Sequence, residues 1–496
     1  MYNCPKCLGN SLIKRGSYYN KTEEAQKQRY CCSDCKFQFS VEFPKVNENS
    51  SLDNKRYVIT SCQDDTEINE SFYQSLMNYC EVNDCELIIL GSGDSIDGIQ
   101  TNNNNFNIGE YIKVYGNLNI SKIAETPLVG LEGICRGKSI IVGHNVLQYK
   151  TLPVFGNDHP IMMASTGTIS KPSYNVTRKN GAKADYNHSN SAIVLELDSA
   201  NDIFHIRVLN CDSDNSFFDI DAYYTPYDVS YNHRAECIYL GDTHVTAMDI
   251  NCHNATFQNN DSIVNVTKPK VILHGDLLDF GIQQSHHLSK SIFKRYKKYI
   301  EGKDSIQDEL EVTAQYLIDH TPDFVEKVLI QSSNHNEHYT RYLTEVKIEH
   351  DMKNAKLYYL MMYKMLDAID NNEEANPFKI YFKEFCKNET ILDKVKFLER
   401  EDLYYIKDIL ISSHGDIGTS GSRGSNNQFR RYPVPMILGH QHNPAIINKV
   451  YVAGTMTGKQ EYQHGSPSAN MQAHVLIFKN GERQIISIIK GKWRLN

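Results

Sequence analysis

Five segments of this 496-residue chain end an apolar or small-residue run with a carboxylate, an amide or an imidazole. Buried strands of open α/β sheets deliver side chains to the loops at their carboxyl ends, where such sheets bind ligands. The side chains delivered here are, in chain order, Asp242 and His244 (in CIYLGDTH), Asp276 (in VILHGDLLD), Asn334 and His335 (in SSNHNE), His414 (in ISSHGD), and His440 and His442 (in ILGHQH). One such strand end is ordinary, but five in order predict a single shared site.

The chemistry that suits this mixture of nitrogen and oxygen ligands is a pair of divalent cations. Imidazole combined with carboxylate favours manganese, iron or zinc, whereas an all-oxygen set would favour magnesium or calcium. Two cations about 3.5–4 Å apart need a bridging oxygen ligand, and together they clamp both oxygens of an in-line phosphoryl displacement. The five segments therefore predict phosphoester chemistry.

The order D-x-H, G-D-x-x-D, N-H-x-E, H, G-H-x-H across residues 235–460 resembles the calcineurin-like metallophosphoesterases. The resemblance implies that one metal is bound by Asp242, His244 and His442, with Asp276 bridging to the second. It implies that the second metal is bound by Asn334, His414 and His440.

The same resemblance makes His335 the acid that protonates the leaving oxygen or steadies the phosphate, so the expected catalytic residues are His335, Asp242 and Asp276. The third motif departs from the family pattern, because Ser333 replaces the usual glycine and Asn336 precedes Glu337. This departure affects the expected turn more than the ligand.

Residues 1–45 contain two C-x2-C pairs, Cys4 with Cys7 and Cys32 with Cys35. Four thiolates make a closed tetrahedral zinc site. The segment is too short to bury a hydrophobic core, so zinc binding would supply its folding free energy. Cys31 is an additional thiol that leaves the ligand assignment open. Five Lys or Arg side chains and three tyrosines lie between the pairs, and the segment resembles the zinc ribbons of transposases and other DNA-handling proteins. DNA or RNA binding is expected, with a zinc-stapled protein-interaction module as the alternative.

Composition describes an ordinary globular chain, with 40% hydrophobic and 23% charged residues and a net charge of -8. Nucleic acid would therefore have to contact a local basic patch. The sequence has no run of 18 apolar residues and no signal peptide, and its 13 cysteines mostly stand singly. These features predict a soluble cytoplasmic protein with reduced thiols and without a membrane partner.

The elements expected to position the site form an α/β fold with two tandem metallophosphoesterase-like sandwich domains behind the ribbon. Four pairs of similar segments occur in the same order in two parts of the chain, for example IIVGH at 140–144 and ILGH at 437–440. These pairs indicate an internal duplication. The predicted division is a linker at 46–54, a degenerate domain at 55–212, a connection at 213–235 and the active domain at 236–496, with a helical insertion at 340–410.

The first copy lacks most of the ligands, because its first strand ends in SCQDD (61–65) and its last in GHNV (143–146). We expect it to serve as an interface, a substrate platform or a dimer-like partner. A catalytically dead copy also leaves assembly into a homo-oligomer open.

Two basic segments are candidates for phosphate contacts. Residues 416–431 form a Gly/Ser/Asn-rich loop whose Arg423 and Arg430 are predicted to fork onto substrate phosphate. A mobile surface loop is the alternative. Residues 290–298 (KSIFKRYKK) form either a solvated helix face or a strip that contacts a nucleic-acid backbone.

The ribbon, the basic helix and the arginine loop together favour DNA as the substrate. Within the family the chain is most similar to the SbcD-type DNA nucleases and to early proteins of tailed bacteriophages that degrade host DNA. This likeness implies manganese as the working metal, with iron, zinc or magnesium as alternatives, and the cytoplasm of an infected bacterium as the location. The alternatives are a phosphatase or nucleotide phosphoesterase acting on small or protein substrates, and a non-catalytic DNA-binding scaffold for host takeover.

Overall fold

The computed structural model describes residues 4–7, 11–20, 25–42, 47–52, 56–91, 95–96, 99–156, 160–281, 292–460 and 463–495. Within these ranges, no helix combines the length and the apolar character that crossing a membrane requires. The first ranges form an antiparallel sheet of three strands, β1 (Leu12–Asn20), β2 (Ala25–Cys32) and β3 (Gln38–Glu42).

In the described part of the first half, strands predominate and two α-helices occur. Its elements are β4 (Asn47–Leu52), β5 (Arg56–Ser61), α1 (Glu70–Asn83), β6 (Glu86–Leu90), β7 (Ser95–Ile96), β8 (Ile99–Gln100), β9 (Asn105–Ile108), β10 (Ile112–Tyr115), β11 (Ser139–Val142), β12 (His144–Leu152), β13 (Ile161–Gly167), α2 (Lys179–Tyr186), β14 (Ser191–Asp198) and β15 (Ile203–Asn210). Asn69 caps α1, because its side chain accepts the main-chain N–H of Phe72.

A small antiparallel sheet follows, and the second half then adds most of the helices. Its elements are β16 (Phe217–Asp219), β17 (Ala222–Tyr224), β18 (Val229–Ser230), β19 (Cys237–Tyr239), α3 (Ile250–His253), α4 (Ile263–Thr267), β20 (Val271–His274), α5 (Ile292–Ile300), α6 (Ile306–Asp319), β21 (Lys327–Ile330), α7 (Asn334–Glu345), α8 (Ala355–Asp370), α9 (Pro377–Phe385), α10 (Glu389–Lys394), β22 (Val395–Phe397), β23 (Tyr405–Ile406), β24 (Ile409–Leu410), α11 (Asn426–Phe429), β25 (Met436–Leu438), β26 (Ala445–Ile447), β27 (Val450–Val452), β28 (Gln472–Ile477) and β29 (Arg483–Ile488).

One sheet of 11 strands runs through both halves in the order β23-β24-β25-β27-β26-β12-β13-β11-β10-β9-β4. Apart from β4, each half contributes five strands. From the outer edge of the sheet toward its centre, both sets run in the order first, second, third, fifth and fourth along the chain. In each half an antiparallel pair leads into two parallel pairings and ends in a strand that returns antiparallel. The two halves join where β12 pairs with β26, with Tyr149 opposite Ile446.

The opposite layer repeats the arrangement. The first half contributes the order β15-β14-β5-β6, and the second contributes β29-β28-β19-β20, which β21 and β22 extend. Strand β15 lies beside β29, where Asn210 donates to the main-chain carbonyl of Arg483 at 3.0 Å and Gln484 donates to that of Val208 at 2.9 Å. The two halves therefore pack as a pair with equivalent strand order in both layers.

The segment 46–54, expected to be a linker, instead contributes β4, which pairs in parallel with β9. Strand pairing at a sheet edge uses main-chain groups, so a run as polar as NENSSL can take part without apolar side chains. The predicted helical insertion, 340–410, holds α8, α9 and α10, and it also holds β22, β23 and β24, which belong to the two large sheets. Part of the predicted basic segment lies in α5, whereas residues 290 and 291 lie outside the described ranges.

A buried charge network lies beneath the junction between the halves. Arg207 donates two hydrogen bonds to Glu196, at 2.8 and 3.0 Å, and another to Asp219 at 2.9 Å, and all three side chains are almost fully buried. Gln484 of the second half also donates to Asp219, at 3.0 Å. Although burial acts to raise the pKa of Glu196, the Arg207 charge outweighs it and lowers this pKa to about 2.

We predict that Arg207→Met lowers the free energy of unfolding by about 3–5 kcal/mol, because buried Asp219 loses its cation and buried Glu196 keeps only the partly exposed Arg56, at 3.2 Å. Urea unfolding followed by circular dichroism measures the change, with exposed Arg178→Met as the matched control.

The lowered pKa of Glu196 makes the stability of the protein depend on pH in acid. A carboxyl whose pKa is lower in the folded state stabilises the fold above its unfolded-state pKa, and this stabilisation is lost as the pH falls toward 2. Arg207→Met should therefore lose the part of the acid limb that Glu196 contributes, and its stability should fall less steeply than that of the wild type as the pH approaches 2. Equal stability of the two arginine variants would contradict this role for the network.

Candidate metal centres

The predicted ligands come together because the strands that carry them are neighbours. Strands β19, β20 and β21 are parallel, so Asp242, Asp276 and Asn334 follow the same edge of one sheet. Strands β24 and β25 are parallel in the facing sheet, and His414 and His440 follow them. The candidate site therefore lies where the carboxyl ends of both layers of the second half meet.

Asp242, His244, Asp276 and His442 form one group, in which the potential ligand atoms all lie within 4.8 Å of one another. His442 Nε2 is 3.1 Å from Asp242 Oδ2 and 3.3 Å from His244 Nε2. All four residues are buried. This group contains the three residues expected for the first metal, together with the expected bridge.

Asp276, His414 and His440 form a second group on the same criterion. His414 Nε2 is 3.1 Å from Asp276 Oδ2, and the amide oxygen of Asn334 is 3.1 Å from His440 Nδ1. Asp276 is the residue that the two groups share. Its position therefore fits a carboxylate that bridges two cations.

Four of these residues hold left-handed main-chain conformations, with φ of 41° at His244, 39° at Asp276, 64° at His440 and 56° at His442. Such angles are costly for residues that carry a Cβ, and they cluster at functional sites. Gly439 shows how tightly the groups converge, because a Cβ at this position would lie 2.4 Å from Asp242 Oδ1.

The charges at the site compensate one another. Burial acts to raise the pKa of Asp276, but the neighbouring His414 imidazolium outweighs it and holds this pKa well below its ordinary value. Burial acts to lower the pKa of His414, yet the charges of Asp276 and Asp242 raise it to about 9. Two buried carboxylates at this place therefore require positive charge beside them.

The donor set fits divalent cations in that role. Asp242 Oδ1 is a buried oxygen without a hydrogen-bond partner, which is costly unless another ligand satisfies it. Imidazole nitrogens and carboxylate oxygens are the ligands that manganese, iron and zinc accept.

Two residues that position the ligands were not assigned from the sequence. Asp279 places Oδ1 3.2 Å from His244 Nδ1, and its main-chain oxygen lies 2.8 Å from His335 Nδ1. Gln331 places Oε1 3.2 Å from His414 Nδ1. The G-D-x-x-D spacing could have identified Asp279, whereas nothing near Gln331 in the sequence distinguishes it from a polar residue after a strand.

His335, the predicted acid, lies beside the first group. Its ring centroid is 4.5 Å from that of His244, and it forms a further cluster with His244 and Asp279. Burial acts to lower the pKa of His335, but the charges of Asp276 and Asp279 raise it above its ordinary value. Ser333 caps helix α7, because its hydroxyl accepts the N–H of Asn336, so the departure at this motif supplies a helix cap.

The predicted phosphate-binding arginines lie in the loop that leaves the site after His414. Asp416 forms a bidentate pair with Arg400 at 2.7 and 2.9 Å, and Arg400 also donates to Glu337 of α7, which fixes the start of this loop. Arg423 is exposed, and Arg430 follows α11 half-buried. The contact of Arg423 and Arg430 with substrate phosphate stays a prediction.

The first half holds a neutral hydrogen-bond network near the equivalent strand ends. His144 Nε2 is 3.1 Å from the main-chain oxygen of Ser121, and Tyr174 Oη is 2.9 Å from His188 Nδ1. Burial lowers the pKa of both histidines. Within the described part of residues 56–212, no group of three or more potential metal ligands occurs.

The four predicted zinc ligands lie together at the N-terminal sheet. Cys4 Sγ is 3.5 Å from Cys35 Sγ, and Cys7 Sγ is 3.5 Å from Cys32 Sγ. Zinc–sulfur bonds of about 2.3 Å give tetrahedral edges of about 3.8 Å, so the spacing fits a structural zinc site. Cys31 instead directs its thiol toward the main-chain oxygens of Cys32 and Lys36 and lies outside the group.

Comparison with known proteins identifies a phage relative. Protein A1 of Escherichia phage T5 is 27% identical over 474 residues, which cover 88% of this chain and 83% of the relative. No family model matches the chain, and no solved structure matches it. The chain is therefore similar to a phage protein along most of its length, and the metallophosphoesterase resemblance rests on its motifs.

We predict that Asp276→Asn removes both cations of the histidine-rich site and leaves the ribbon zinc in place, because Asp276 is common to both groups. Bound metal should fall from about three to about one equivalent per chain, measured by inductively coupled plasma mass spectrometry after dialysis against manganese and zinc.

Asp319→Asn, which alters an exposed carboxylate, is the matched control and should leave the metal content unchanged. Retention of about three equivalents by Asp276→Asn would contradict the shared-ligand arrangement.

Proposed function

We propose that the protein is a two-metal phosphodiesterase that cleaves DNA. The observation that carries the proposal is the sharing of Asp276 by two adjacent groups of buried ligand atoms. When bound, a pair of divalent cations neutralises the charge that develops on a phosphoryl group and activates water at neutral pH. The resemblance to phage nucleases favours manganese as the bound metal. Iron, zinc and magnesium also suit parts of the ligand set.

The residues of the chain supply positioning. His244 is held between Asp276 and Asp279, with nitrogen–oxygen distances of 3.7 and 3.2 Å. The main-chain N–H of His440 donates to Asp242 Oδ2 at 2.7 Å, which orients that carboxylate. Such contacts fix the direction of ligand side chains before a cation or a substrate arrives.

His335 is the proposed general acid. Its Nδ1 lies 2.8 Å from the main-chain oxygen of Asp279, so Nδ1 is assigned as the donor and Nε2 is left for the leaving oxygen. The neighbouring carboxylates favour the protonated ring. A protonated imidazole beside the phosphate can give its proton to the departing alkoxide, which leaves the ring neutral, and it takes up a proton from solvent before the next turnover.

Three features support DNA as the substrate. The cysteine cluster supplies a zinc-ribbon module, the phage relative fits action in an infected bacterial cytoplasm, and α5 places basic and aromatic side chains beside the site. Lys298 of α5 donates to the main-chain oxygen of Gly281, two residues after Asp279. Tyr296 and Tyr299 are 63% and 65% exposed, so this helix offers rings on which bases can stack. Degradation of host DNA is the role that follows.

We predict that Asp276→Asn and His335→Ala abolish cleavage while DNA binding is largely kept. For His335→Ala the expected loss is at least about 100-fold, the usual contribution of a general acid. Release of acid-soluble fragments from linear duplex DNA with manganese, magnesium or EDTA measures cleavage, and gel shift measures binding.

His350→Ala, at an exposed position, is the control for loss of an imidazole. Full activity of His335→Ala would show that His335 is not the general acid. Rapid turnover of p-nitrophenyl phosphate by the wild type with intact DNA would make the protein a phosphatase instead.

A second prediction concerns the ribbon. Cys4→Ser combined with Cys7→Ser should remove one zinc and weaken DNA binding, while turnover of a small phosphodiester by the second half is kept. Zinc content, gel shift and bis(p-nitrophenyl) phosphate hydrolysis measure these effects. Unchanged DNA affinity would favour a protein-interaction module, and collapse of all activity would show that the ribbon is not an independent unit.

A further inference from the structure

A buried glutamate lies behind the loop that holds His335. Glu309 is 6% exposed, and the other buried side chains of α6 carry no charge. Its Oε1 accepts the main-chain N–H of Phe280 at 2.5 Å. Because a carboxyl is costly to bury without hydrogen bonds, the contact with this main-chain group accounts for a glutamate at this position.

The peptide group that contacts Glu309 is also the one that contacts His335. The carbonyl of Asp279 and the N–H of Phe280 belong to one planar trans peptide, so they point in opposite directions. The carbonyl lies 2.8 Å from His335 Nδ1, and the N–H donates to Glu309. Rotation of this peptide group would therefore break both contacts at once.

The main chain beside this peptide group is strained. Phe280 has a φ of 48°, a left-handed conformation that is costly for a bulky side chain and persists only where the surroundings fix it. One fixed point is the hydrogen bond to Glu309. The other is the fully buried Phe280 ring, whose centroid is 5.2 Å from that of Tyr339, one turn after His335 on α7.

The hydrogen bond from Phe280 does not depend on the charge of Glu309. Burial and the neighbouring Asp279 carboxylate raise the pKa of Glu309 to about 7. The ionised and the protonated carboxyl both keep an oxygen lone pair that can accept an N–H. The loop therefore needs an acceptor at the right distance, and a neutral acceptor satisfies it.

We propose that Glu309 is a positioning residue, which holds the peptide group after Asp279 so that its carbonyl fixes His335 as the proton donor to the leaving oxygen. Contacts then run from α6 through the loop after β20 to α7. Glu309 acts through the peptide group and does not touch the substrate. The inference rests on the proposed function, because it takes His335 to be the general acid.

Two conservative variants separate the position of the acceptor from its charge. Glu309→Gln keeps an oxygen at the same reach and removes the charge, so it should keep wild-type activity. Glu309→Asp keeps the charge but withdraws the carboxylate by about 1.5 Å, beyond hydrogen-bond reach of the Phe280 N–H. This variant should lose the contribution of the general acid.

The test measures kcat and KM in manganese on two phosphodiesters that differ in their leaving group. Linear duplex DNA leaves an alkoxide that needs a proton, whereas bis(p-nitrophenyl) phosphate leaves a stable phenolate that needs none. Glu309→Asp should lower kcat on DNA by about 100-fold, the cost of displacing a catalytic group by about 1 Å, with KM unchanged. Its kcat on the chromogenic ester should stay at the wild-type value.

Glu345→Asp shortens an exposed glutamate of α7 and is the matched control, which should equal the wild type on both substrates. An equal fall in kcat on both substrates in Glu309→Asp would make Glu309 a structural residue only. Unchanged kcat on DNA, or activity that is lost in Glu309→Gln and kept in Glu309→Asp, would also overturn the inference.

Nitrogen-15 NMR of the histidine rings in the zinc-loaded, full-length protein separates this inference from the proposed function. In buffer alkaline enough for a neutral ring, His335 should carry its proton on Nδ1 in the wild type and in Glu309→Gln, and lose this preference in Glu309→Asp. The signals are those missing from His335→Ala. A proton on Nε2 in the wild type, or the same tautomer in all three proteins, overturns the inference. If the wild type cleaves no DNA, the proposed function fails, and the NMR measurement decides the role of Glu309 alone.

Discussion

The burial of Asp276 and Asp242 beside four imidazoles is the constraint on which the rest of the structure depends. Carboxylates that are 0–1% exposed cannot remain ionised without positive charge nearby. The chain meets this need with His414, whose pKa is raised to about 9, and with a donor set that suits divalent cations. The ligand residues in left-handed conformations, and Gly439 against the Asp242 carboxylate, are local consequences of bringing these groups together.

The two halves of the chain share a strand order but differ in chemistry. In the second half, the strand ends carry charged ligands that need a counter-charge. In the first half, His144 and His188 are neutral and their hydrogen bonds are met by main-chain oxygens and by Tyr174. These hydrogen bonds are complete without a cation. The 11-stranded sheet and the hydrogen bond from Gln484 to Asp219 join the first half to the second.

The candidate site could be predicted residue by residue because each ligand follows a short apolar strand and belongs to a spaced motif. The same holds for the cysteines, where Cys4, Cys7, Cys32 and Cys35 converge and Cys31 does not. Gln331 could not be predicted because it contacts an imidazole rather than a metal, and such partners are chosen by three-dimensional proximity. Asp279 contacts an imidazole as well, but the G-D-x-x-D spacing could have identified it. The strand at Asn47–Leu52 was missed because edge pairing needs no hydrophobic pattern. Strand β12 pairs with β26, which is far away along the chain. The amino-acid sequence of neither strand indicates that the two would pair.

The most direct measurement of the central claim is anomalous X-ray scattering at the manganese edge from crystals grown with manganese. Two peaks about 3.5–4 Å apart are expected, with the Asp276 carboxylate between them and His442 and His414 on opposite sides. A single peak, or two peaks that Asp276 does not bridge, would contradict a shared two-metal site.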